Sequence, residues 1–155
     1  SRPRKSTVHP WIPHFNGELI LANKIAYKFG DPKPGEVIIF KSPKNKEIDY
    51  IKRIIGLPGD TVKLENSKFY VNNVPLEESY IASDVITQAG SYLHEGEEIV
   101  VPEGYYFVAG DNRPHSSDSR EFGPIPFQDI IGKALVRYWP INRAGIIIPA
   151  TYPGL

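Results

Sequence analysis

Residues 50–60 of this 155-residue chain read YIKRIIGLPGD, a strand pattern that runs directly into a turn. Tyr and Ile dominate its first half, as in strands that are buried on both faces. Leu-Pro-Gly-Asp follows at 57–60, and Pro and Gly are typical of tight turns. The stretch therefore predicts a buried β-strand that ends abruptly.

The same alternation of short strand patterns and turn signals continues through the chain. Glycine (13 residues) and proline (15 residues) are frequent and scattered, and long helical periodicities are absent. The predicted strands are 18–27, 36–41, 49–56, 61–65, 68–72, 97–101, 105–110 and 133–140, with one short helix at 127–131. We expect an all-β protein whose twisted antiparallel sheets form a Greek-key or barrel-like core with few short helices.

One segment, residues 76–98, is more polar and less regular than the rest. We interpret it as an excursion or small cap. The β core would then consist of residues 1–75 and 99–155. The chain is long enough for one such core with a modest subdomain.

Composition excludes several classes of protein. Lys plus Arg and Asp plus Glu number 18 each, so the net charge is zero. The composition therefore does not indicate the strongly basic surface that is typical of nucleic-acid-binding domains. The sequence has no cysteine, which excludes disulfides, thiol catalysis and cysteine-ligated zinc. No apolar run has the length of a spanning helix. The chain begins abruptly at Ser1 without a signal-peptide pattern, as expected for a piece cut from a longer protein.

Lys52 is a charged residue inside the apolar strand. Because side chains alternate along a strand, Lys52 shares one face with Tyr50 and Ile54, and Arg53 lies on the other. Two interpretations are open for Lys52: a side chain that follows apolar surface to water, or a desolvated neutral amine that serves as a general base. Arg53 keeps its proton and is expected to pair with a carboxylate.

A second group of polar residues lies at 110–123, which read GDNRPHSSDSREFG. Ser116, Asp118 and Arg120 are spaced so that they would line one side of an extended segment. A polar surface loop is one interpretation. The other is a functional loop, because it follows a buried strand and carries the acids and arginines needed for internal ion pairs.

Together these two stretches resemble the type I signal peptidases, the membrane-bound serine endopeptidases that remove signal peptides from exported proteins. The family block Tyr-Ile-Lys-Arg-x-x-Gly-Leu-Pro-Gly-Asp is matched by residues 50–60. The block Gly-Asp-Asn-Arg-x-x-Ser-x-Asp-Ser-Arg-x-x-Gly is matched at every fixed position by 110–123. Weaker similarity is found in GEVIIFK (35–41) and GELILANKIAY (17–27).

The resemblance implies a Ser–Lys dyad in which Lys52 is the general base that takes the proton of a serine hydroxyl. Ser116 would hydrogen-bond the lysine amine and orient it. Such a base must be neutral, which favours an apolar pocket and carboxylates that are already neutralised by arginines. The implied supporting pairs are Arg53 with Asp111 and Asp118 with Arg120. No metal or organic cofactor is implied.

The nucleophile is harder to assign. The family's block Ser-Met-x-Pro-Thr-Leu has no intact counterpart in KSTVHPWIPHFNGE (5–18), and alignment places its serine at His9 or Pro10. Ser6 is the nearest serine and becomes the candidate nucleophile. Three explanations remain open: the segment loops so that Ser6 meets Lys52, the nucleophile was removed naturally or by design, or the protein no longer cleaves.

Both ends of the chain are apolar and aromatic. The histidines at 9 and 14 would need a third ligand to hold a metal, and we predict no metal site. The apolar residues are either ordinary core or, as the family implies, a surface that dips into the bilayer beside the site. They are Trp11, Ile12, Phe15, Trp139 and the run 145–150.

The resemblance thus implies the catalytic domain of a membrane-anchored signal peptidase on the extracytoplasmic face, monomeric and without its anchor in this chain. Its partners would be the signal peptides of preproteins, bound by strand addition beside the strand of Lys52, and a membrane surface. We expect no nucleic-acid partner.

Three alternatives stay open. The first is a catalytically inactive relative that acts as a binding or assembly factor. The second is a self-cleaving Ser–Lys repressor-type domain, which the 110–123 block and the absence of a DNA-binding segment disfavour. The third is a β-barrel binding module without an active site.

Overall fold

The structure is a computed structural model that describes residues 11–13, 19–28, 30–139, 145–146 and 149–152. Within them most of the regular secondary structure is β. The strands are β1 (Trp11–Pro13), β2 (Leu19–Asn23), β3 (Val37–Lys41), β4 (Asp49–Gly56), β5 (Thr61–Glu65), β6 (Lys68–Val71), β7 (Val74–Pro75), β8 (Glu98–Val100), β9 (Tyr105–Ala109), β10 (Ile125–Pro126), β11 (Ile130–Trp139) and β12 (Gly145–Ile146). The helices are α1 (Ser119–Phe122) and single 3₁₀ turns at Ala26–Lys28, Arg113–His115 and Phe127–Asp129. The all-β prediction is confirmed.

The larger of two antiparallel sheets holds the strand that carries Lys52. Its order is β1-β2-β11-β3-β4-β9-β10, with β12 paired to β11, so β11 returns from late in the chain to lie between β2 and β3. Lys52 of β4 is opposite Ile38 of β3, and Arg53 is opposite both Val37 and Ala109. Since β9 ends at Ala109, the chain enters the polar block 110–123 beside β4.

The second sheet has four strands in the order β7-β6-β5-β8, a Greek key in which β5, β6 and β7 are joined by hairpins and β8 returns to lie beside β5. Its first turn has Asn66 and Ser67 at positive φ, and its second has Asn72 and Asn73 at positive φ. Two consecutive residues of this kind are the signature of the tight turns that match the twist of a hairpin. These two turns join β5 to β6 and β6 to β7 as hairpins.

The second half of β4 is buried on both faces, in two different clusters. Ile54 packs with Phe40 and Val108 on one face of the large sheet. Ile55, next in sequence, packs on the other face with Phe107 and the small sheet. The alternation of side chains along a strand produces this arrangement directly. The central strand is therefore held rigidly where it presents Lys52.

The segment between β7 and β8 forms turns and extended backbone, and the structure assigns no helix or strand to residues 76–97. Leu76 and Leu93 are buried against the small sheet. The backbone amides of Tyr92 and Leu93 both donate to the carbonyl of Arg120, at 2.9 and 3.0 Å. The segment is thus tied to the block that carries Ser116, and its assignment as an inserted cap stays a prediction.

The largest differences between the predicted and the observed element boundaries are at the end of β2 and the start of β11. The strand expected to run to residue 27 ends at Asn23, whose side-chain oxygen accepts from the amide of Ile25 and starts a turn. The helix expected at 127–131 is a single 3₁₀ turn, and β11 already begins at Ile130, opposite Phe40. Ile at 130 and 131 is β-branched and favours the strand once a partner strand is available.

Replacing Gly35 by Ala is expected to lower the free energy of unfolding by about 2 kcal/mol. Gly35 has φ +82°, and an added Cβ would lie 2.1 Å from the carbonyl oxygen of Ala150. Urea unfolding followed by circular dichroism measures the change. Gly30→Ala is the control, because an added Cβ there has no heavy atom within 4 Å. An equal loss in both variants would contradict the prediction.

Candidate active site

The amine of Lys52 lies on a half-buried part of β4 and is held by one hydroxyl. Its Nζ donates to Oγ of Ser116 at 3.0 Å. The ring of Tyr50 is also close, with its centroid 5.3 Å from Nζ. The lysine therefore turns toward the 110–123 block.

Burial lowers the pKa of the Lys52 amine below the ordinary lysine value. The negative charge of Asp118 opposes this shift, the positive charge of Arg120 adds to it, and Asp111 opposes it more weakly. The net direction favours the neutral amine, which is the form that accepts a proton.

Behind Ser116 lies a fully buried carboxylate. The Ser116 hydroxyl donates to Oδ2 of Asp118 at 2.8 Å, and the Gly110 amide donates to the same oxygen at 3.0 Å. Arg120 binds Asp118 through two contacts, from Nε at 2.9 Å and from Nη2 at 2.8 Å. Burial raises the pKa of Asp118, but the Arg120 contacts outweigh it, so the pKa lies below its ordinary value and the carboxylate stays ionised.

Ser116 thus has its proton committed to Asp118 and its lone pairs turned to Lys52. This polarity lets the serine receive a hydrogen bond from the amine in either protonation state. It fixes the position of Nζ without bringing an unneutralised carboxylate into contact with it.

Arg53 lies on the opposite face of β4 and holds a second carboxylate. Its Nε and Nη2 donate to the two oxygens of Asp111 at 2.9 and 2.8 Å, the bidentate geometry of a strong ion pair. Its Nη1 donates to the carbonyl of Gly35 at 2.8 Å. This pair joins β4, the entry to β3 and the start of the 110–123 block.

Gly110 sits where no side chain would fit. A Cβ added there would lie 2.1 Å from Ser116 Oγ and 3.2 Å from Lys52 Nζ. The close approach of the two chain segments, and with it the hydrogen bond between Lys52 and Ser116, depends on glycine at this position.

A cleft of about 260 Å³ opens beside Ser116, between the 76–97 segment and the 110–123 block. Both arginines of the block reach its wall. The lining residues are Gln88, Ala89, Gly90, Arg113, Pro114, Ser116, Asp118, Arg120 and Glu121. The surroundings of Ser116 are therefore polar on the side that faces away from the sheet.

Sequence reasoning missed a group of residues that supports the block from behind. Arg113, which has a fully buried side chain, donates to Glu78 at 3.0 Å and to Thr87 Oγ1 at 3.2 Å. It also donates to the carbonyl of Gly110 at 2.8 Å. Arg113 itself belongs to the noted block, but nothing in the local sequence pattern marks Glu78 as its partner. The other missed members are Tyr80 and Tyr152.

The candidate nucleophile Ser6 lies outside the described residues, as do His9, His14 and Phe15. The predicted roles of Lys52 and the supporting residues therefore stay predictions, although their contacts are in place. Among the residues that the structure describes, no group of three His, Cys, Asp or Glu could hold a metal. In the same residues, no helix is long and apolar enough to cross a membrane.

The site is a polar cluster between β4 and the 110–123 block of an all-β domain. It consists of a lysine amine, a serine hydroxyl bound to it and two carboxylates that are paired with arginines. The family model described as signal peptidase, peptidase S26, matches residues 6–139 of the chain. The chain belongs to this family of signal peptidases.

Individual relatives are similar over most of the chain. Probable signal peptidase I-2 of Synechocystis sp. is 38% identical over 147 residues, 92% of this chain and 63% of the relative. Signal peptidase I of Leptolyngbya laminosa is 40% identical over 138 residues, 84% of this chain and 64% of the relative. Signal peptidase IB of Staphylococcus aureus is 38% identical over 139 residues, 83% of this chain and 72% of the relative. The chain thus spans less than two thirds of the first two.

A solved structure shares the fold. The crystal structure of a signal peptidase I from Enterococcus faecalis V583 is 34% identical and aligns with a TM-score of 0.56. The alignment covers 66% of this chain and 96% of that chain. The two-sheet β architecture described above is therefore that of a signal peptidase I.

Replacing Lys52 by Met is expected to raise the free energy of unfolding at pH 7 by about 1 kcal/mol, because the buried ammonium costs stability. The folded pKa lies below the ordinary value of 10.5, so this cost is full below the folded pKa and vanishes as pH rises to 10.5. The difference between the variant and the parent should therefore shrink in alkaline solution. Urea titrations at several pH values measure it.

Lys68→Met is the matched control, since Lys68 is an exposed strand lysine. Its stability should follow that of the parent at every pH. A Lys52→Met variant less stable than the parent at pH 7 would show that the ammonium contributes net stability, and the prediction would be wrong.

Proposed function

We propose that the chain is the catalytic domain of a serine endopeptidase that removes signal peptides from exported preproteins, with Lys52 as its general base. The observation that carries the proposal is the environment of Lys52. Its amine is desolvated and held at 3.0 Å by Ser116, and each nearby carboxylate is engaged by an arginine. Membership of the signal peptidase family supplies the reaction that such a base would serve.

The reaction begins with neutral Lys52. Its Nζ takes the proton of the nucleophilic serine, for which Ser6 is the candidate, and the serine oxygen attacks the scissile carbonyl carbon. Backbone amides would stabilise the oxyanion of the tetrahedral intermediate. The lysine ammonium then gives its proton to the leaving amine, which releases the mature chain and leaves an acyl-enzyme.

Deacylation repeats these steps with water. Lys52 takes a proton from the water, the hydroxide attacks the ester carbonyl, and the ammonium returns a proton to the serine oxygen. Ser116 holds the amine throughout, and its own proton stays on the bond to Asp118. The cycle needs no metal or organic cofactor.

The substrate would bind as an added strand beside β4. An extended signal peptide placed there would pass directly over Lys52. We expect shallow pockets for small side chains, foremost Ala, before the cleaved bond. We further propose a membrane-anchored monomer on the extracytoplasmic face.

Cleavage of a preprotein or an Ala-x-Ala peptide in detergent tests the proposal. We expect the parent chain to cleave and Lys52→Ala to lose at least about a hundredfold in kcat, the size of a general-base contribution. Lys68→Ala, at an exposed site, should cleave like the parent. No cleavage by the parent would favour the inactive relative that acts as a binding or assembly factor.

Ser6→Ala decides the nucleophile in the same assay. Loss of cleavage together with loss of acylation by a serine-directed inhibitor supports Ser6. Survival of full activity would exclude Ser6 and leave the lysine assignment standing.

Gly110→Ala is expected to lower kcat about tenfold or more with little change in KM. The added methyl would displace Ser116 from Lys52, because it would lie 2.1 Å from the Ser116 hydroxyl oxygen. Steady-state kinetics separates the two constants. Gly30→Ala is the control, and a rise in KM with unchanged kcat would contradict the role given to Gly110.

A further inference from the structure

The guanidinium of Arg53 is covered by an aromatic ring from the 76–97 segment. Its Cζ lies 4.0 Å from the ring centroid of Tyr80, the distance of a close cation–π stack. Arg53 is almost fully buried, with 6% of its side chain exposed, whereas 43% of the Asp111 side chain is exposed. Within this ion pair, the arginine is therefore the fixed partner and the carboxylate is the one with room to move.

Tyr80 is itself held at its hydroxyl. The hydroxyl donates to Oε2 of Glu78 at 2.6 Å and lies 2.6 Å from the hydroxyl of Tyr152, near the C-terminal end of the chain. Burial raises the pKa of both tyrosines, that of Tyr152 to about 12, so both hydroxyls stay neutral. Glu78 is fixed in turn by the buried Arg113. The position of the Tyr80 ring is thus set by three chain segments.

This arrangement matters for Lys52, the neighbour of Arg53. The charged groups that face the Lys52 amine are Asp118, Arg120 and Asp111. Asp118 is locked by Arg120 and has no exposed surface. Asp111 is restrained through Arg53, and a carboxylate released from its arginine would stabilise the lysine ammonium.

We propose that Tyr80, held by Tyr152 and Glu78, is a positioning residue for the proposed reaction. Its ring holds the Arg53 guanidinium in the orientation that donates to both oxygens of Asp111. This carboxylate therefore does not become a counter-ion of Lys52. The inference rests on the proposed function and extends it to the 76–97 segment and the C-terminal end. Tyr80 touches neither substrate nor the reacting atoms and acts only through Arg53.

The test compares variants that remove the ring with variants that keep it. Tyr80→Leu removes both the stack and the hydroxyl, whereas Tyr80→Phe and Tyr152→Phe keep the ring over Arg53 and remove one hydroxyl each. Tyr70→Leu is the matched control. Its ring stacks with Lys63, 4.9 Å from Nζ, in the small sheet.

The pH dependence of kcat/KM for the Ala-x-Ala peptide is the main readout. For Tyr80→Leu we expect the acidic limb to move to higher pH, with a loss of about three- to tenfold at pH 7 and recovery to within about twofold in alkaline solution. Tyr80→Phe should shift less, and Tyr70→Leu should match the parent. A uniform loss at all pH values in Tyr80→Leu would point to a merely structural role and overturn the inference.

The decisive comparison is Tyr80→Leu made in a chain that already carries Asp111→Asn. If Tyr80 acts by restraining the Asp111 carboxylate, Tyr80→Leu should no longer move the acidic limb once that carboxylate is an amide. A shift of the same size in both backgrounds would show that Tyr80 acts by another route.

Titration of the Lys52 amine keeps this inference separate from the proposed function. Carbon-13 at the lysine ε-carbon reports the protonation of each lysine, and the Lys52 signal is assigned by its loss in Lys52→Ala. We expect Tyr80→Leu to move this titration to higher pH even if the chain cleaves nothing. An unchanged titration in a folded variant overturns the inference, whereas an inactive parent overturns only the proposed function.

Discussion

One constraint shapes the site: the Lys52 amine, whose pKa is lowered by burial, lies on a strand that is surrounded by charged groups. Desolvation alone would be undone by any carboxylate free to pair with Lys52, and two lie within its electrostatic reach. Each is engaged by its own arginine: Asp111 by Arg53 of β4, and Asp118 by Arg120 of α1. Both acids are thus already paired with arginines and are not counter-ions of Lys52.

The fold could be predicted from sequence because its strands carry their own signals. The apolar runs and the Pro and Gly turns located β3 through β6 to within a residue, and alternation placed Lys52 and Arg53 on opposite faces. The errors came where local preference was weak: Asn23 ended a strand through its own side chain, and Ile130 joined a sheet whose partner strand is 90 residues earlier in the chain.

Only some of the site residues could be predicted from the sequence. The resemblance to signal peptidases named Lys52, Ser116 and both acid–arginine pairs, and the structure has these residues in contact. Glu78, Tyr80 and Tyr152 had no such signal, because they come from irregular segments where neither periodicity nor spacing specifies a partner. Contacts between two loops, or between a loop and a chain end, follow from the completed tertiary structure and not from local pattern.

The sequence separation of the site residues has a consequence for biosynthesis. Lys52 and Ser116 are 64 positions apart, and Arg53 and Asp111 are 58 apart, so neither pair forms until the long-range strand pairings have closed. A nascent or unfolded chain carries Lys52 as an ordinary hydrated ammonium, which is no base at neutral pH. Under the proposed function, the proton acceptor would therefore form only when folding is complete, and the enzyme would be inactive while its own polypeptide is still extended.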